Sequence, residues 1–108
     1  MIQGERPDWR PLQRVLPESL VPTFMWMCEV ELASGDRLHA YKHIDTRRYL
    51  HLGMGRDAFL EVGAAGYRWV PLATALELCL HPWWERLGAS LEETTAAWAA
   101  IAAARRDG

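Results

Sequence analysis

A chain of 108 residues that is 50% hydrophobic and carries a net charge of −2 is long enough for one modest core. This composition excludes intrinsic disorder, and no apolar run reaches the roughly 18–20 residues that a membrane span needs. Because the first twenty residues lack the apolar stretch of a signal peptide, we expect a cytoplasmic protein that does not enter a membrane.

The N-terminal segment holds four of the six prolines: Pro7, Pro11, Pro17 and Pro22. They lie too close together for a long helix. We therefore predict that residues 1–22 form an extended arm with one helical turn near residues 11–16. Trp9 in this arm is a candidate interface residue. Residues 23–108 are predicted to form a single α+β domain.

From residue 24 the hydrophobic pattern has a period of two, which predicts a half-buried strand with Phe24, Trp26, Cys28, Val30 and Leu32 on one side. Four further short strands are predicted at residues 38–44, 47–52, 58–62 and 67–70. Their connections of two to five residues predict antiparallel neighbours. The sequence therefore predicts a meander of four to five strands over residues 24–70, in the α+β class.

Two C-terminal helices are predicted to cover this sheet. The first, residues 72–87, should be kinked or broken at Pro82, which lacks an amide. Its core face is Leu72, Leu76, Cys79, Leu80, Trp83 and Leu87. The second helix, residues 91–106, begins with a capping box formed by Ser90 and Glu93. Its predicted core face is Leu91, Thr94 or Thr95, Trp98, Ile101 or Ala102, and Arg105.

Residues 39–52 read HAYKHIDTRRYLHL and contain three of the four histidines and the only lysine. Residues 37–56 carry a charge of +4, from five basic residues and Asp45, while the remainder of the chain carries −6. If these residues share one surface, their cations can bind phosphates and the rings of Tyr41 and Tyr49 can stack on bases. Nucleic acid or another polyanion is therefore one alternative partner. The candidate binding residues are Lys42, His43, Arg47, Arg48, Tyr49 and His51.

The same stretch permits two chemical interpretations. His43 with Arg47 and Arg48 contains the parts of a metal-independent phosphodiesterase or ribonuclease, which needs a general base and a cation. A metal site is not predicted, because His39 and His43 would lie about 13 Å apart on a strand. No catalytic residue and no cofactor is assigned.

The sequence HPWW at 81–84 places Trp83 and Trp84 about 100° apart on a helix, so both cannot face one core. Aromatic side chains dominate the centres of protein interfaces, which makes both tryptophans interface candidates. We therefore predict a small non-catalytic binding or regulatory domain that acts through protein–protein interaction as a homodimer. Polyanion binding and phosphodiester cleavage are the alternatives.

Overall fold

The computed structural model describes residues 6–107, with the backbone alone described at Ala65. Residues 1–5 of the predicted arm and Gly108 of the predicted domain lie outside the described residues. Short 3₁₀ turns occur at Val21–Thr23 and Gly63–Ala65. In chain order the helices and strands are α1 (Arg10–Val15), β1 (Phe24–Glu31), β2 (Arg37–His43), β3 (Tyr49–Leu52), β4 (Ala58–Glu61), β5 (Tyr67–Val70), α2 (Leu72–Arg86) and α3 (Leu91–Asp107).

The strands form one five-stranded antiparallel sheet in which each strand pairs with its neighbours in sequence. The predicted meander and the α+β class are confirmed. Across the β2–β3 turn, Lys42 pairs with Tyr49. Strand β3 begins later than predicted because Arg47 has a φ of 63°, a left-handed conformation that does not fit a strand.

One face of the sheet carries the core. Helix α2 packs on this face, where the Trp83 ring meets the His43 ring. The core cluster combines residues of the sheet, of α2 and of α3, among them Tyr41, Leu50, Val70, Leu76, Leu80 and Ile101. The register places a second set of side chains on the opposite face, namely Lys42, Tyr49, His51, Phe59, Tyr67 and Trp69.

The N-terminal segment belongs to the folded body, which corrects the prediction of an extended arm. Helix α1 matches the helical turn predicted near residues 11–16. The Tyr41 hydroxyl donates a hydrogen bond to the Asp8 carbonyl and so ties the segment to the sheet. Several of its apolar side chains are buried in the core, including Leu12, Val15, Leu16 and Leu20. Residues 6–22 therefore complete the core instead of extending away from it.

Of the predicted kink or break at Pro82, the break does not occur, because helix α2 runs through this residue. A proline here has no amide to donate to the carbonyl of Leu78, four residues earlier. The Arg48 guanidinium supplies a donor instead, because its Nη1 lies 3.0 Å from the Leu78 carbonyl oxygen. The helix continues to Arg86 because a side chain from the β2–β3 connection satisfies the carbonyl that Pro82 frees.

Helix α3 begins with the predicted capping box. The Ser90 amide donates to Glu93 Oε1 at 2.8 Å, and the Glu93 amide donates to Ser90 Oγ at 3.0 Å. Its buried face, however, lies one residue away from the predicted one, a rotation of about 100°. Small side chains there let α3 pack closely against its neighbours. The buried residues are Ala97, Ala100, Ile101 and Ala104.

Candidate functional site

His43, the residue predicted for binding or catalysis, lies inside the core. Its side chain has no solvent-exposed surface. The ring centroid lies 4.4 Å from that of Trp83 and 5.0 Å from that of Phe24, both in edge-on arrangements. A substrate or a polyanion cannot reach this imidazole in the folded chain, so His43 leaves the set of candidate surface residues.

The proton state of His43 follows from its hydrogen bonds. Nδ1 accepts the backbone N–H groups of Asp45 at 3.2 Å and Thr46 at 3.1 Å, so the neutral ring carries its proton on Nε2. Within residues 6–107, buried Nε2 has no hydrogen-bond partner. Burial lowers the pKa of His43 below its ordinary 6.5, against the opposing charges of Asp45 and Glu93. The neutral imidazole therefore organises the turn that follows β2.

Lys42, Tyr49 and His51 lie together on the face of the sheet opposite the core. The Tyr49 and His51 rings stack with centroids 5.7 Å apart and 14° between their planes. Tyr67 covers His51 edge-on at 4.9 Å, and Lys42 Nζ lies 5.6 Å from the Tyr49 ring centroid. Burial lowers the pKa of His51, although Glu61 opposes this shift. His51 is thus the buried centre of an aromatic ladder, and Tyr49 is its exposed end.

The basic residues of 37–56 do not converge. Arg37 and Arg56 lie at the end of the sheet where β3 runs into β4, and Arg47 and Arg48 lie at the opposite end of β2. The length of β2 separates the two groups by about 20 Å. Arg37 pairs with Glu29 at 2.7 Å and Arg56 pairs with Asp107 at 3.0 Å, while the Arg48 guanidinium contacts α2. The charge cluster of the sequence is therefore divided in space.

The three candidate interface tryptophans have different environments. Trp83 is 1% exposed and belongs to the core, which removes it as an interface residue. Trp9 packs on Tyr41 with ring centroids 5.8 Å apart, so its ring helps to hold the N-terminal segment on the sheet. Trp84 is partly exposed and contacts Trp98, with centroids 4.9 Å apart. Of the three, Trp84 lies on the outer side of the helices.

Around Trp84 lies an apolar surface that the sequence pattern assigns to the core. Leu87 is 49% exposed, Leu91 83% and Trp98 41%. At the end of α2, Leu87 follows Trp84 by three positions, so the two side chains share one face. In α3, Trp98 follows Leu91 by seven positions, so these two also share one face. The contact between Trp84 and Trp98 joins the two faces. We call Trp84, Leu87, Leu91 and Trp98 the helical patch. The alanines of α3 mark a helix that can pack closely, but the sequence does not show which side of it faces the body.

A groove of about 520 Å³ lies between β5, the start of α2 and the end of α3. Trp69 forms one wall. Three of the charged side chains that line the groove form ion pairs, Arg56 with Asp107 at 3.0 Å and Arg105 with Glu77 at 2.6 Å. Among the residues that the structure describes, no three His, Cys, Asp or Glu side chains are grouped to hold a metal ion. The groove therefore presents no group of metal-ligating side chains within that part of the chain.

Across residues 6–107, no helix combines the length and the apolar character needed to cross a membrane. No protein-family model, curated protein or solved structure matches this chain.

Proposed function

We propose that this chain is a small non-catalytic binding domain that acts in the cytoplasm through protein–protein contact, with a second copy of itself as the partner. The helical patch carries the proposal, because Leu87, Leu91 and Trp98 are exposed and Trp98 contacts the partly buried Trp84. Interface centres are enriched in tryptophan and other large apolar side chains. Removing such a surface from water stabilises a complex.

The orientation of α3 supports this function. The helix packs on the body through three alanines and Ile101, whereas its larger apolar residues Leu91 and Trp98 point outward. Full burial of one leucine stabilises a structure by roughly 1.5–3 kcal/mol. A dimer that covers Leu91 in both copies gains this contribution twice, which favours association over exposure.

The two alternatives receive less support. Phosphodiester cleavage by His43 requires an imidazole that reaches the substrate, and His43 is enclosed by Phe24 and Trp83. Polyanion binding requires cations on one surface, and the basic residues of 37–56 are divided between two ends of the sheet. Self-association requires neither an accessible His43 nor basic residues gathered on one surface.

The proposal is tested by sedimentation equilibrium from about 1 µM to about 500 µM, a range that covers weak and moderate dimers. We expect the wild-type mass to rise with concentration from 12.3 kDa toward twice that value. The double variant Leu91→Gln/Trp98→Gln should remain a monomer, because it removes the outward apolar side chains of α3.

The matched control is Ile44→Gln, which replaces an apolar residue that is also exposed (44%) but lies in the β2–β3 turn. This variant should associate like the wild type. A wild-type chain that stays monomeric throughout, or equal weakening by both variants, would contradict a dimer formed through the helical patch.

A further inference from the structure

The charges of α3 are arranged so that the helix complements itself. Glu92 and Glu93 lie in its first turn, and Arg105 and Arg106 lie in its last turn. Resting on the proposed self-association, we infer that two copies pair through antiparallel α3 helices with Ala99 at the two-fold axis. The acidic start of each helix then meets the basic end of the other.

The spacing of three exposed residues supports this geometry. Glu92, Ala99 and Arg106 are seven residues apart along α3, so they lie on nearly the same side of the helix. All three are exposed. Ala99 lies eight residues from each end of Leu91–Asp107 and is therefore its midpoint. A two-fold axis at Ala99 consequently places Glu92 of one copy opposite Arg106 of the second copy, twice.

A parallel arrangement would have the opposite electrostatics. It would bring Glu92 beside its own equivalent and Arg106 beside its own equivalent, which is repulsive at both ends. It would also align the two helix dipoles, whereas the antiparallel arrangement opposes them favourably. Charge complementarity therefore favours a second copy of this chain, in the antiparallel orientation, as the partner of α3.

The size of the contact predicts a reversible dimer. Helix α3 is about 26 Å long and about 10 Å wide, which gives a projected footprint of roughly 260 Å². A standard interface buries about 800 Å² per partner. Ala99 at the centre permits close approach, and Leu91, Trp98 and the neighbouring Leu87 enlarge the contact at its sides. An interface below standard size dissociates on dilution.

Charge reversal tests the pairing in the full chain. Glu92→Arg and Arg106→Glu each turn two attractive contacts into repulsive ones, so each variant alone should dimerise at least about fourfold more weakly than the wild type. Mixing the two variants restores opposite charges at both contacts. The equimolar mixture should therefore dimerise within about threefold of the wild type. The difference in affinity between the mixture and each single variant should shrink in high salt, because salt screens the charges.

A second substitution acts at the axis itself. Ala99→Glu retains helix propensity but brings two carboxylates face to face, so it should abolish dimerisation while circular dichroism remains that of the wild type. The controls Glu31→Arg and Arg68→Glu make the same charge changes at exposed strand residues and should leave the dimer intact.

The outcomes separate the two proposals. A wild-type dimer that is unaffected by all three α3 variants, or a mixture no tighter than its components, would overturn the antiparallel pairing and leave the proposed self-association standing. A wild-type chain that never dimerises would overturn both.

Discussion

Lowering the pH should destabilise the fold through its buried histidines. Histidine in the unfolded chain titrates near pH 6.5, whereas burial lowers the pKa of His43 and of His51 in the folded chain. Above pH 6.5 both states are neutral and the histidines do not affect stability. As the pH falls below 6.5, the unfolded state binds protons that the folded state does not, so stability decreases until the folded pKa is reached.

The magnitude follows from the linkage between proton binding and folding. A histidine that stays neutral in the folded state lowers the free energy of unfolding by at most about 1.4 kcal/mol between pH 7.5 and pH 5.5. His43 and His51 together account for at most about 3 kcal/mol. Domains of this size are stable by only about 5–15 kcal/mol, so the change is measurable.

Urea unfolding at pH 7.5, 6.5 and 5.5 measures this effect. We expect His43→Leu to be less stable than the wild type at pH 7.5, because Nδ1 no longer accepts the Asp45 and Thr46 amides. Its pH dependence should be flatter by about 1 kcal/mol over the range. Ile44→Gln, which changes an exposed residue with no titrating side chain, is the control and should retain the wild-type slope. An unchanged slope in His43→Leu would refute a buried neutral imidazole at this position.

Three further substitutions test the packing, each measured as a free energy of unfolding. Arg48→Met removes the donor to the Leu78 carbonyl and should reduce stability by about 0.5–1.5 kcal/mol. The control Arg47→Met should change stability by less than about 0.5 kcal/mol. Equal effects of the two substitutions would contradict the role of Arg48. Trp83→Ala should cost about 3–5 kcal/mol, and near-wild-type stability would show that Trp83 is not in the core. Ser90→Ala removes the cap of α3 and should cost about 1 kcal/mol, with a fall of roughly 4–8 °C in Tm; an unchanged Tm would count against the cap.

The elements that could be predicted from the sequence are those whose signals are local. The alternation that begins at Phe24 correctly predicts a strand, and the short connections leave only antiparallel pairing. The single face predicted for this strand is wrong beyond Trp26, because a bulge between Trp26 and Cys28 turns Cys28 and Val30 to the opposite face of the sheet. The capping box at Ser90 and Glu93 is equally local, because both hydrogen bonds form within four residues. Such features do not depend on the rest of the molecule.

Features that depend on distant residues could not be predicted. The donor that replaces the missing Pro82 amide at the Leu78 carbonyl comes from Arg48, which lies 30 residues before Leu78 in sequence. The rotation of α3 is decided by which side packs most closely, and alanines fit where Trp98 does not. Hydrophobicity alone ranks tryptophan above alanine for the core, so it assigns the wrong face.

The candidate site shows the same limit. His43 and Lys42 are adjacent in sequence but lie on opposite faces of β2, one in the core and one beside Tyr49. Alternation predicts this separation. It does not predict that the face carrying His43 is closed by Trp83, because α2 covers that face from forty residues away. The helical patch could be recognised once the buried face of α3 was known.

Chemical-shift changes with concentration test the central claim most directly. Two-dimensional ¹⁵N–¹H spectra recorded at about 20 µM and about 1 mM span the range expected for a small, reversible interface. We predict that shifts change for the outward residues of α3, for Leu87 and for the indole N–H groups of Trp84 and Trp98, while the Trp83 indole stays constant. Spectra that do not change with concentration, or changes confined to the sheet around Tyr49, would contradict a dimer formed through the helical patch.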